Sequence, residues 1–470
     1  MDFMTGLTSF VSAVNDILWN ELLLIVLVGT GIWYTFNLGF VQVRGFKEGL
    51  RRVFGGLFNK VDKADHEGMS QFQALTTAVA AQVGTGNIVG AATAIAAGGP
   101  GAIFWMWVSA FFGMSTIYAE AVLAQKYKRI GKDGIITGGP VYYIKAAFKG
   151  TFGSLLAGLF AIFIIFALGF MGNAVQANSI SDAFNNAFHI PPLYVGIGVA
   201  ILAFGIFSGG MGRIARVTEA IVPLMACFYI LGSLAIMVMN IGYLPLVFEE
   251  IIIGAFSPHA IAGGVIGATV QIAMRKGVAR GLFSNEAGMG STPHAHAVAK
   301  VKYPPEQGFV AMIGVFIDTF VVLNMTAFVI IITRSVTPDQ SLTGAALAQA
   351  AFAKGLGSFG PIFVAISLFF FAFSTIVGWY FFGEANVKYL FGPKAVRIYS
   401  ILVCICIVIG STLKVSLVWD MADMFNGLMV IPNLLALLFL TKEVKAAHQQ
   451  FLDLSHGYKG LDELAKNKKS

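Results

Sequence analysis

Two short glycine-containing segments carry the residue types best suited to binding chemistry. The first is GTGN at residues 84–87, and the second is NEAGMG at residues 285–290. Glycine lowers helix propensity by roughly 1 kcal/mol relative to Ala, so each G-x-G pair predicts an interruption of its helix. An interruption leaves N–H groups that attract an anion and C=O groups that attract a cation. These segments therefore predict ligand binding by backbone groups.

A hydroxyl pair, Ser374 and Thr375, lies inside a long apolar run. Such hydroxyls commonly hydrogen-bond the preceding turn of their own helix, and the pair alone predicts no more than that. Hydroxyl and carbonyl oxygens are also the ligands that hard cations prefer. Both interpretations remain open from these two residues alone.

The chain that carries these residues is apolar enough to lie within a lipid bilayer. The chain has 470 residues, of which 57% are hydrophobic and 12% are charged, and its mean hydropathy is +0.78. A soluble domain carries about 25% charged residues. This composition excludes a disordered chain, a disulfide scaffold and a soluble enzyme. Cys227, Cys404 and Cys406 lie in apolar runs without paired spacing and are predicted to be core thiols. The start MDFMTG has no basic residue, so no signal peptide is expected.

Long apolar segments recur along the chain. A helix needs roughly 20 apolar residues to cross a ~30 Å hydrocarbon layer, and barrel strands would alternate polar and apolar residues instead. The predicted fold is therefore an all-α polytopic membrane protein in a lipid bilayer. Its eleven predicted transmembrane helices lie near 19–39, 70–97, 101–125, 153–184, 191–208, 214–240, 261–297, 307–333, 361–391, 395–413 and 415–440.

Basic residues predict the orientation of these spans. If the N-terminus lies outside, 25 of the 31 Lys and Arg residues fall in cytoplasmic segments, as the positive-inside rule requires. The sequence thus predicts a plasma-membrane protein with an external N-terminus and a cytoplasmic tail at 441–470. The net charge of +7 reflects this topology, and nucleic acid is excluded as a partner.

The two interruptions fall at equivalent positions. Counted from residue 70, they lie in the first and sixth spans, which is the same place in two five-helix halves. Paired interrupted helices of this kind indicate an inverted-repeat transporter. We therefore predict one transmembrane domain with a first repeat at 70–240, a second at 261–440 and an extra N-terminal helix at 19–39. For residues 90–97, close helix packing by small residues is the preferred interpretation. No strand precedes the glycines, so a dinucleotide-binding motif is excluded.

The runs GTGNIVGAATAIAAGGPGAIFWMW (84–107) and GLFSNEAGMGSTPHAHA (281–297) resemble the alanine/glycine:cation symporter family. The resemblance extends over nearly the whole chain. It implies the leucine-transporter fold, in which ten helices form two inverted repeats. It also implies a secondary active symporter, not an enzyme, with no cofactor. Inward sodium flow would drive uptake of a small neutral amino acid, alanine or glycine, by alternating access.

The resemblance also implies where each ligand binds. The substrate carboxylate would lie on the backbone of Thr85 and Gly86. Trp379 lies one helical turn beyond Thr375 and is expected to close a small pocket, and Gln176 is a pocket candidate by its three-residue spacing from Asn173. The full predicted substrate site is Gln82, Thr85, Gly86, Asn87, Gln176, Phe283, Ser284, Asn285, Gly288 and Trp379. Sodium would bind the carbonyls of Ala80, Val83 and Phe371 and the hydroxyls of Ser374 and Thr375. Phe170 and Asn173 are further candidates for the pocket wall.

Several alternatives stay open. Asp318 would bind a cation, pair with Arg280, or be a protonated structural group, and Glu286 would either attract a cation or cap the N–H groups freed at the second break. We favour the cap. A proton is the rival coupling ion, but the span 214–240 lacks the Lys that proton-coupled relatives of this fold use. A non-transporting amino-acid sensor is the rival from another class, and an intramembrane enzyme lacks a nucleophile–base pair.

The last predictions concern residues near the outer end of the predicted span 261–297 and residues just after its break. Arg275, Lys276 and Arg280 are candidates for an outer gate with a carboxylate, although snorkelling explains the first two equally well. His294 and His296 are expected to be structural, since an H-x-H spacing places the two rings on different faces of a helix.

Overall fold

The computed structural model describes residues 3–58, 68–131, 134–256, 270–336, 342–413 and 416–467. Apart from one two-stranded hairpin, these residues form helices and the turns between them. In chain order the helices of the first half are α1 (Phe3–Ile17), α2 (Leu23–Asn37), α3 (Val41–Arg44), α4 (Phe46–Phe58), α5 (Gln71–Gln82), α6 (Ala91–Gly98), α7 (Gly101–Lys126), α8 (Pro140–Ala147), α9 (Gly150–Ile164), α10 (Asn173–Phe188), α11 (Pro192–Phe207), α12 (Gly210–Met239) and α13 (Leu244–Phe256). Strands β1 (Arg129–Ile130) and β2 (Ile136–Thr137) pair antiparallel between α7 and α8.

The second half continues in the same way. Its helices are α14 (Val270–Asn285), α15 (Pro293–Ala297), α16 (Pro304–Val315), α17 (Asn324–Ile332), α18 (Gly344–Leu356), α19 (Phe359–Phe391), α20 (Val396–Thr412), α21 (Ser416–Phe439) and α22 (Thr441–Asn467). Wider π-helical turns at Leu18–Leu22, Gly86–Gly90, Ile165–Gly172 and Phe316–Leu323 connect α1 to α2, lead into α6, and connect α9 to α10 and α16 to α17. Short 3₁₀ turns at Ile241–Tyr243 and Pro393–Ala395 lead into α13 and α20.

The helical, membrane-spanning character predicted from composition is confirmed. Seven helices of the described ranges are long and apolar enough to cross a bilayer, and an eighth span is obtained if α5 and the bent segment Gly86–Gly98 count as one. The prediction of eleven spans in a 5+5 inverted repeat remains a prediction. Residues 257–269, which include the start of the predicted span 261–297, lie outside the described residues.

The structure adds helical segments at both ends of the chain. The predicted helix 19–39 is part of a longer helical segment that begins at Phe3, and the predicted tail contains α22. Polar residues recur in both segments, so hydropathy alone does not reveal them. At its start α22 contacts α7, where Lys126 Nζ lies 2.9 Å from Glu443 Oε2.

Local sequence explains how the first broken helix is placed. Ser70 and Gln73 form a reciprocal capping box that starts α5. Gly378 lets α19 approach α5 closely, because a Cβ there would lie 3.0 Å from Ala81 Cβ. The segment 74–92 is entirely buried. This packing holds an irregular backbone inside protein, as the hydrocarbon core requires.

A buried binding site at two helix breaks

The first break releases backbone groups from their helical partners. In a continuous helix the Gly84 N–H would bond Ala80 O, but here it donates to Gln82 O and to Asn87 Oδ1, each at 3.0 Å. The next amide, Thr85 N–H, donates to Gln176 Oε1 at 3.2 Å. The break therefore frees the Ala80 carbonyl while two side chains satisfy amides that the helix no longer uses.

The second break lies between α14 and α15. Glu286, Gly288 and Gly290 adopt φ angles of 58°, 87° and 79°, a region that favours glycine and is uncommon for other residues. The paired interruption predicted from the two G-x-G motifs is thus present. Both breaks are fully buried.

The two breaks contact each other. Gln82 Nε2, at the end of α5, donates to the Asn285 carbonyl at the end of α14 across 2.8 Å. A Cβ at Gly86 would lie 2.9 Å from Ser284 Cα, so only glycine allows this approach without a shift of backbone. The predicted site residues of the two distant segments therefore form one cluster.

Glu120 was not predicted, although it holds the second break. Its carboxylate accepts the freed N–H groups of Gly288 at 3.1 Å and Gly290 at 2.9 Å, and also the Asn433 side-chain amide at 2.7 Å. Tyr143 OH in turn donates to Asn433 Oδ1 at 2.5 Å. The signal available in sequence was a single carboxylate within the apolar span 101–125, since intramembrane acids commonly mark functional sites.

The prediction that Glu286 caps freed amides is wrong. Glu286 instead accepts a hydrogen bond from Ser291 Oγ and another from Trp379 Nε1, the latter at 2.5 Å. Its backbone turns through the left-handed region, which directs the side chain toward α19. The two amides of the break are already satisfied by Glu120, and this explains why Glu286 is not needed there.

Oxygen atoms of α5 and α19 converge beside the first break. Thr375 Oγ1 lies 2.9 Å from Ala80 O, 3.0 Å from Phe371 O and 3.5 Å from Val83 O. Ser374 Oγ lies 2.9 Å from Phe371 O and 3.5 Å from Ala80 O. All five predicted cation ligands are therefore adjacent. A hydroxyl has one proton, so two hydroxyls cannot satisfy this number of acceptors.

Asp318 lies in the predicted span 307–333 and connects that span to both breaks. Its Oδ1 accepts from Asn87 Nδ2 at 2.7 Å, and both of its oxygens lie 3.1 Å from Ser284 Oγ. The alternative in which Asp318 pairs with Arg280 is wrong, because Arg280 pairs with Asp423 at 3.2 Å. Asn285, at the second break, also contacts this span, because its Nδ2 lies 3.2 Å from Thr319 Oγ1.

One wall of the cluster is aromatic. The Phe283 and Trp379 rings meet edge to face with their centroids 6.0 Å apart. Trp379 lies against Gly172, where a Cβ would be 2.6 Å from the indole. Elsewhere in the cluster, Thr85 Oγ1 and Gln82 Oε1 are buried polar atoms with no hydrogen-bond partner, and such atoms are costly unless a ligand or water satisfies them.

Only some of the candidate residues in the predicted span 153–184 contact the breaks. Gln176 contacts the first break, as described, whereas Phe170 packs against Tyr399 with ring centroids 5.7 Å apart. Asn173 Nδ2 bonds the Gly169 carbonyl of its own helix at 3.1 Å. Phe170 therefore faces a different part of the protein from the breaks, which corrects its expected place in the pocket wall.

A charged cavity lies beyond the aromatic wall. It has a volume of about 280 Å³ and is lined by Arg275, Lys276, Arg280, Asp420 and Asp423, among others. Arg280 lies over the Phe283 ring, 5.9 Å from its centroid, and pairs with Asp423 of α21. The expected pairing of this basic group with a carboxylate is thus formed by Arg280.

His294 and His296 are both buried and hydrogen-bonded. His294 Nδ1 lies 2.7 Å from Ser291 O, and its Nε2 lies 2.8 Å from Asn386 Nδ2. His296 Nδ1 lies 2.8 Å from Gln307 Nε2. The two rings contact different helices, as the H-x-H spacing predicts.

Comparisons with known proteins agree with this architecture. The profile of the sodium:alanine symporter family matches residues 4–462. The chain is 43% identical to the "Sodium/alanine symporter AgcS" of Methanococcus maripaludis, over 97% of this chain and 98% of that one. It is 42% identical to the "Probable sodium/glutamine symporter GlnT" of Bacillus subtilis, over 95% and 91% of the two chains.

A solved structure of similar fold is "MhsT in complex with L-phenylalanine". It has a TM-score of 0.55 and 15% identity, and the alignment covers 83% of this chain and 99% of that one. At this identity the similarity shows the fold alone, which is the leucine-transporter fold.

Proposed function

The chain belongs to the sodium:alanine symporter family, and on that premise we propose that it moves alanine or glycine inward with sodium by alternating access. It is a multi-pass membrane transporter rather than an enzyme, and it carries out sodium-coupled amino-acid symport. The identity of the amino acid, the residues that bind each ligand and the direction of the termini are parts of the proposal.

Sodium binds between α5 and α19, at the five oxygens of Ala80, Val83, Phe371, Ser374 and Thr375. The observation that carries this proposal is the 2.9 Å separation of Thr375 Oγ1 from Ala80 O, a carbonyl that the first break frees. Carbonyl and hydroxyl oxygens suit a hard cation. Because Gly84 is in contact with Thr375, a cation here would order the first break against α19.

The amino acid binds where the two breaks meet. Its carboxylate is held by the backbone around Thr85 and Gly86, near the positive end of the helix that follows. The unpartnered Thr85 Oγ1 and Gln82 Oε1 provide one further donor and one acceptor. Trp379 and Phe283 limit the space for the side chain, which favours a methyl group or a hydrogen. One methyl changes the binding free energy by only about 1–3 kcal/mol, so both alanine and glycine are expected to pass.

The end of the helix bundle that carries most of the Lys and Arg residues, here called the basic end, is the cytoplasmic end. The N-terminus lies outside. With this orientation, one net positive charge moving inward gains about 2.3 kcal/mol per 100 mV of membrane potential. At about 1.4 kcal/mol per tenfold, that gain supports roughly 40-fold accumulation of the amino acid. The sodium gradient adds to it.

Two other candidates are distinguished by the residues of the site. A proton-coupled transporter of this fold would carry a Lys on the fifth span, whereas α12 contains none and the hydroxyl pair is retained. A larger substrate is the second candidate, because one relative is named a probable sodium/glutamine symporter. The position of Trp379 against Gly172 favours the smaller side chain.

Uptake of radiolabelled alanine into proteoliposomes tests the proposal. Vesicles with an inward sodium gradient are compared with vesicles that have an inward potassium or proton gradient, and unlabelled glycine or glutamine is added as competitor. We expect uptake only with sodium and stronger competition by glycine than by glutamine. Uptake driven equally by protons without sodium, or preferential competition by glutamine, would contradict the proposal.

A further inference from the structure

A second cavity lies between the breaks and the basic end of the bundle. Its volume is about 520 Å³, and its walls come from the β1–β2 hairpin, α15, and the last turns of α19. Among the lining residues are Arg129, Thr137, His294, Glu384 and Lys388. None of these belongs to the substrate or sodium site described above.

The cavity follows the proposed central site along one helix. Thr375, Trp379, Glu384 and Lys388 succeed one another on α19, and a rise of 1.5 Å per residue places Glu384 about 13 Å beyond Thr375 along the helix axis. The opposite wall also starts from the breaks, since His294 bonds Ser291 O and Ser291 Oγ bonds Glu286. A ligand leaving the breaks toward the basic end therefore meets this cavity next.

A hydrogen bond and a ring contact join α15 to α19 at the wall of this cavity. Asn386 Nδ2 and His294 Nε2, 2.8 Å apart, join α19 to α15. The His294 ring also stacks on Phe382 with centroids 5.7 Å apart. These contacts hold α15 against α19 along one side of the cavity.

The cavity wall carries an ion pair with an unused acceptor. Lys388 Nζ lies 2.7 Å from Glu384 Oε1, and the Glu384 side chain is 5% exposed. Glu384 Oε2 is buried without a hydrogen-bond partner. The Lys388 side chain is 30% exposed and lines the cavity, and Arg129 supplies a second cation to the lining.

We propose that this cavity is a second binding site for the transported zwitterionic amino acid, on its path to or from the basic end of the bundle. The substrate ammonium group binds the free oxygen of Glu384 after a small rotation of that side chain, and its carboxylate binds Lys388. A zwitterion is complementary to an ion pair because its two charges lie beside the opposite ones. A lone sodium ion would use Glu384 but would be repelled by Lys388.

This inference rests on the proposed function, and its test separates the two. Right-side-out and inside-out membrane vesicles from cells that express the full chain present opposite faces of the protein to radiolabelled alanine. For each face, the half-maximal alanine concentration is measured at fixed sodium for the wild type, Glu384→Gln and the double variant Glu384→Gln/Lys388→Gln. Glu443→Gln, which removes a carboxylate from the Lys126 pair, is the matched control.

For Glu384→Gln we expect the half-maximal concentration measured from the cavity face to rise about tenfold relative to that from the other face, which is about 1.4 kcal/mol. The double variant leaves no unpaired charge, and its ratio should remain raised because both ligand groups are gone. The Glu443→Gln control should keep the wild-type ratio.

Three results would overturn the second site: an unchanged ratio in Glu384→Gln, recovery of the wild-type ratio in the double variant, or a shift in half-maximal sodium instead of alanine. Recovery in the double variant would mean that the pair only stabilises the fold. Wild-type vesicles without sodium-dependent alanine movement would overturn the proposed function itself, so the two failures are distinguishable.

Discussion

The indole N–H of Trp379 donates to Glu286 Oε1 across 2.5 Å. This hydrogen bond connects the predicted span 361–391 to the second helix break. The two residues are 93 positions apart in the sequence, and the left-handed backbone of Glu286 makes the contact feasible. The hydrogen bond fixes the indole beside Phe283 and Gly172. The size of the proposed substrate pocket thereby depends on the conformation of the break.

Replacing the indole should widen the range of substrates. In Trp379→Ala, relative uptake of valine over alanine should rise by about tenfold or more, because one methylene is worth about 1–3 kcal/mol in a fitted pocket. Competition by unlabelled amino acids against labelled alanine measures the change. Trp105→Ala removes an indole that bonds Ala255 O and serves as control. An unaltered substrate profile in Trp379→Ala would mean that the indole only packs.

The contact between the breaks predicts a strict requirement for glycine at one position. In Gly86→Ala the new Cβ would lie 2.9 Å from Ser284 Cα, so the two breaks must separate and alanine uptake should fall at least tenfold. At Gly90 the nearest atom would be 4.0 Å away, and Gly90→Ala should retain near wild-type uptake. Equal uptake by the two variants, at equal amounts in the membrane, would argue against a shared binding site.

Glu120 is expected to hold the second break in its binding conformation. Glu120→Gln can accept from one of the two glycine amides but presents an N–H toward the other, and a hydrogen bond to a charged group contributes about 1.5–3 kcal/mol. We expect a lower melting temperature and a more than tenfold weaker alanine affinity, measured by equilibrium binding in detergent. A variant with unchanged affinity and a merely lower melting temperature would limit Glu120 to stabilising the fold.

The sequence predicted the breaks but not what satisfies them. Glycine pairs are local signals, and the five cation ligands followed from the resemblance of the chain to a symporter family. Glu120 escaped because its partners Gly288 and Asn433 lie 168 and 313 residues away, and no local pattern encodes those contacts. Glu286 was misassigned for the same reason, since its partner Trp379 comes from a helix 93 residues later.

Short and amphipathic helices were also beyond the sequence patterns. α13 and α18 each have 13 residues, too few to cross the hydrocarbon layer, and the sequence of α22 is rich in charged and polar residues. Their helicity depends on tertiary packing more than on propensity. Hydropathy therefore indicates a membrane-spanning helical protein but does not reveal these shorter or more polar helices.

The pair of Arg280 and Asp423 predicts a charge-dependent closure at the end opposite to the basic segments. In Asp423→Arg two cations would face each other between α14 and α21, and uptake should fall severalfold. The exchanged variant Arg280→Asp/Asp423→Arg restores opposite charges and should recover part of that loss, since partly exposed pairs contribute up to about 1 kcal/mol. Initial uptake rates measure both variants. A double variant no better than Asp423→Arg would show that the attraction itself is unimportant.

The sodium dependence of alanine uptake in variants of Thr375 tests the central claim most directly. Thr375→Ala removes the hydroxyl next to Ala80 O, and loss of one such interaction with a charged ligand costs about 1.5–3 kcal/mol. The half-saturating sodium concentration should therefore rise about tenfold or more, while Thr375→Ser, which keeps the hydroxyl, should stay near the wild type. A sodium dependence of Thr375→Ala equal to that of the wild type would contradict a cation between α5 and α19.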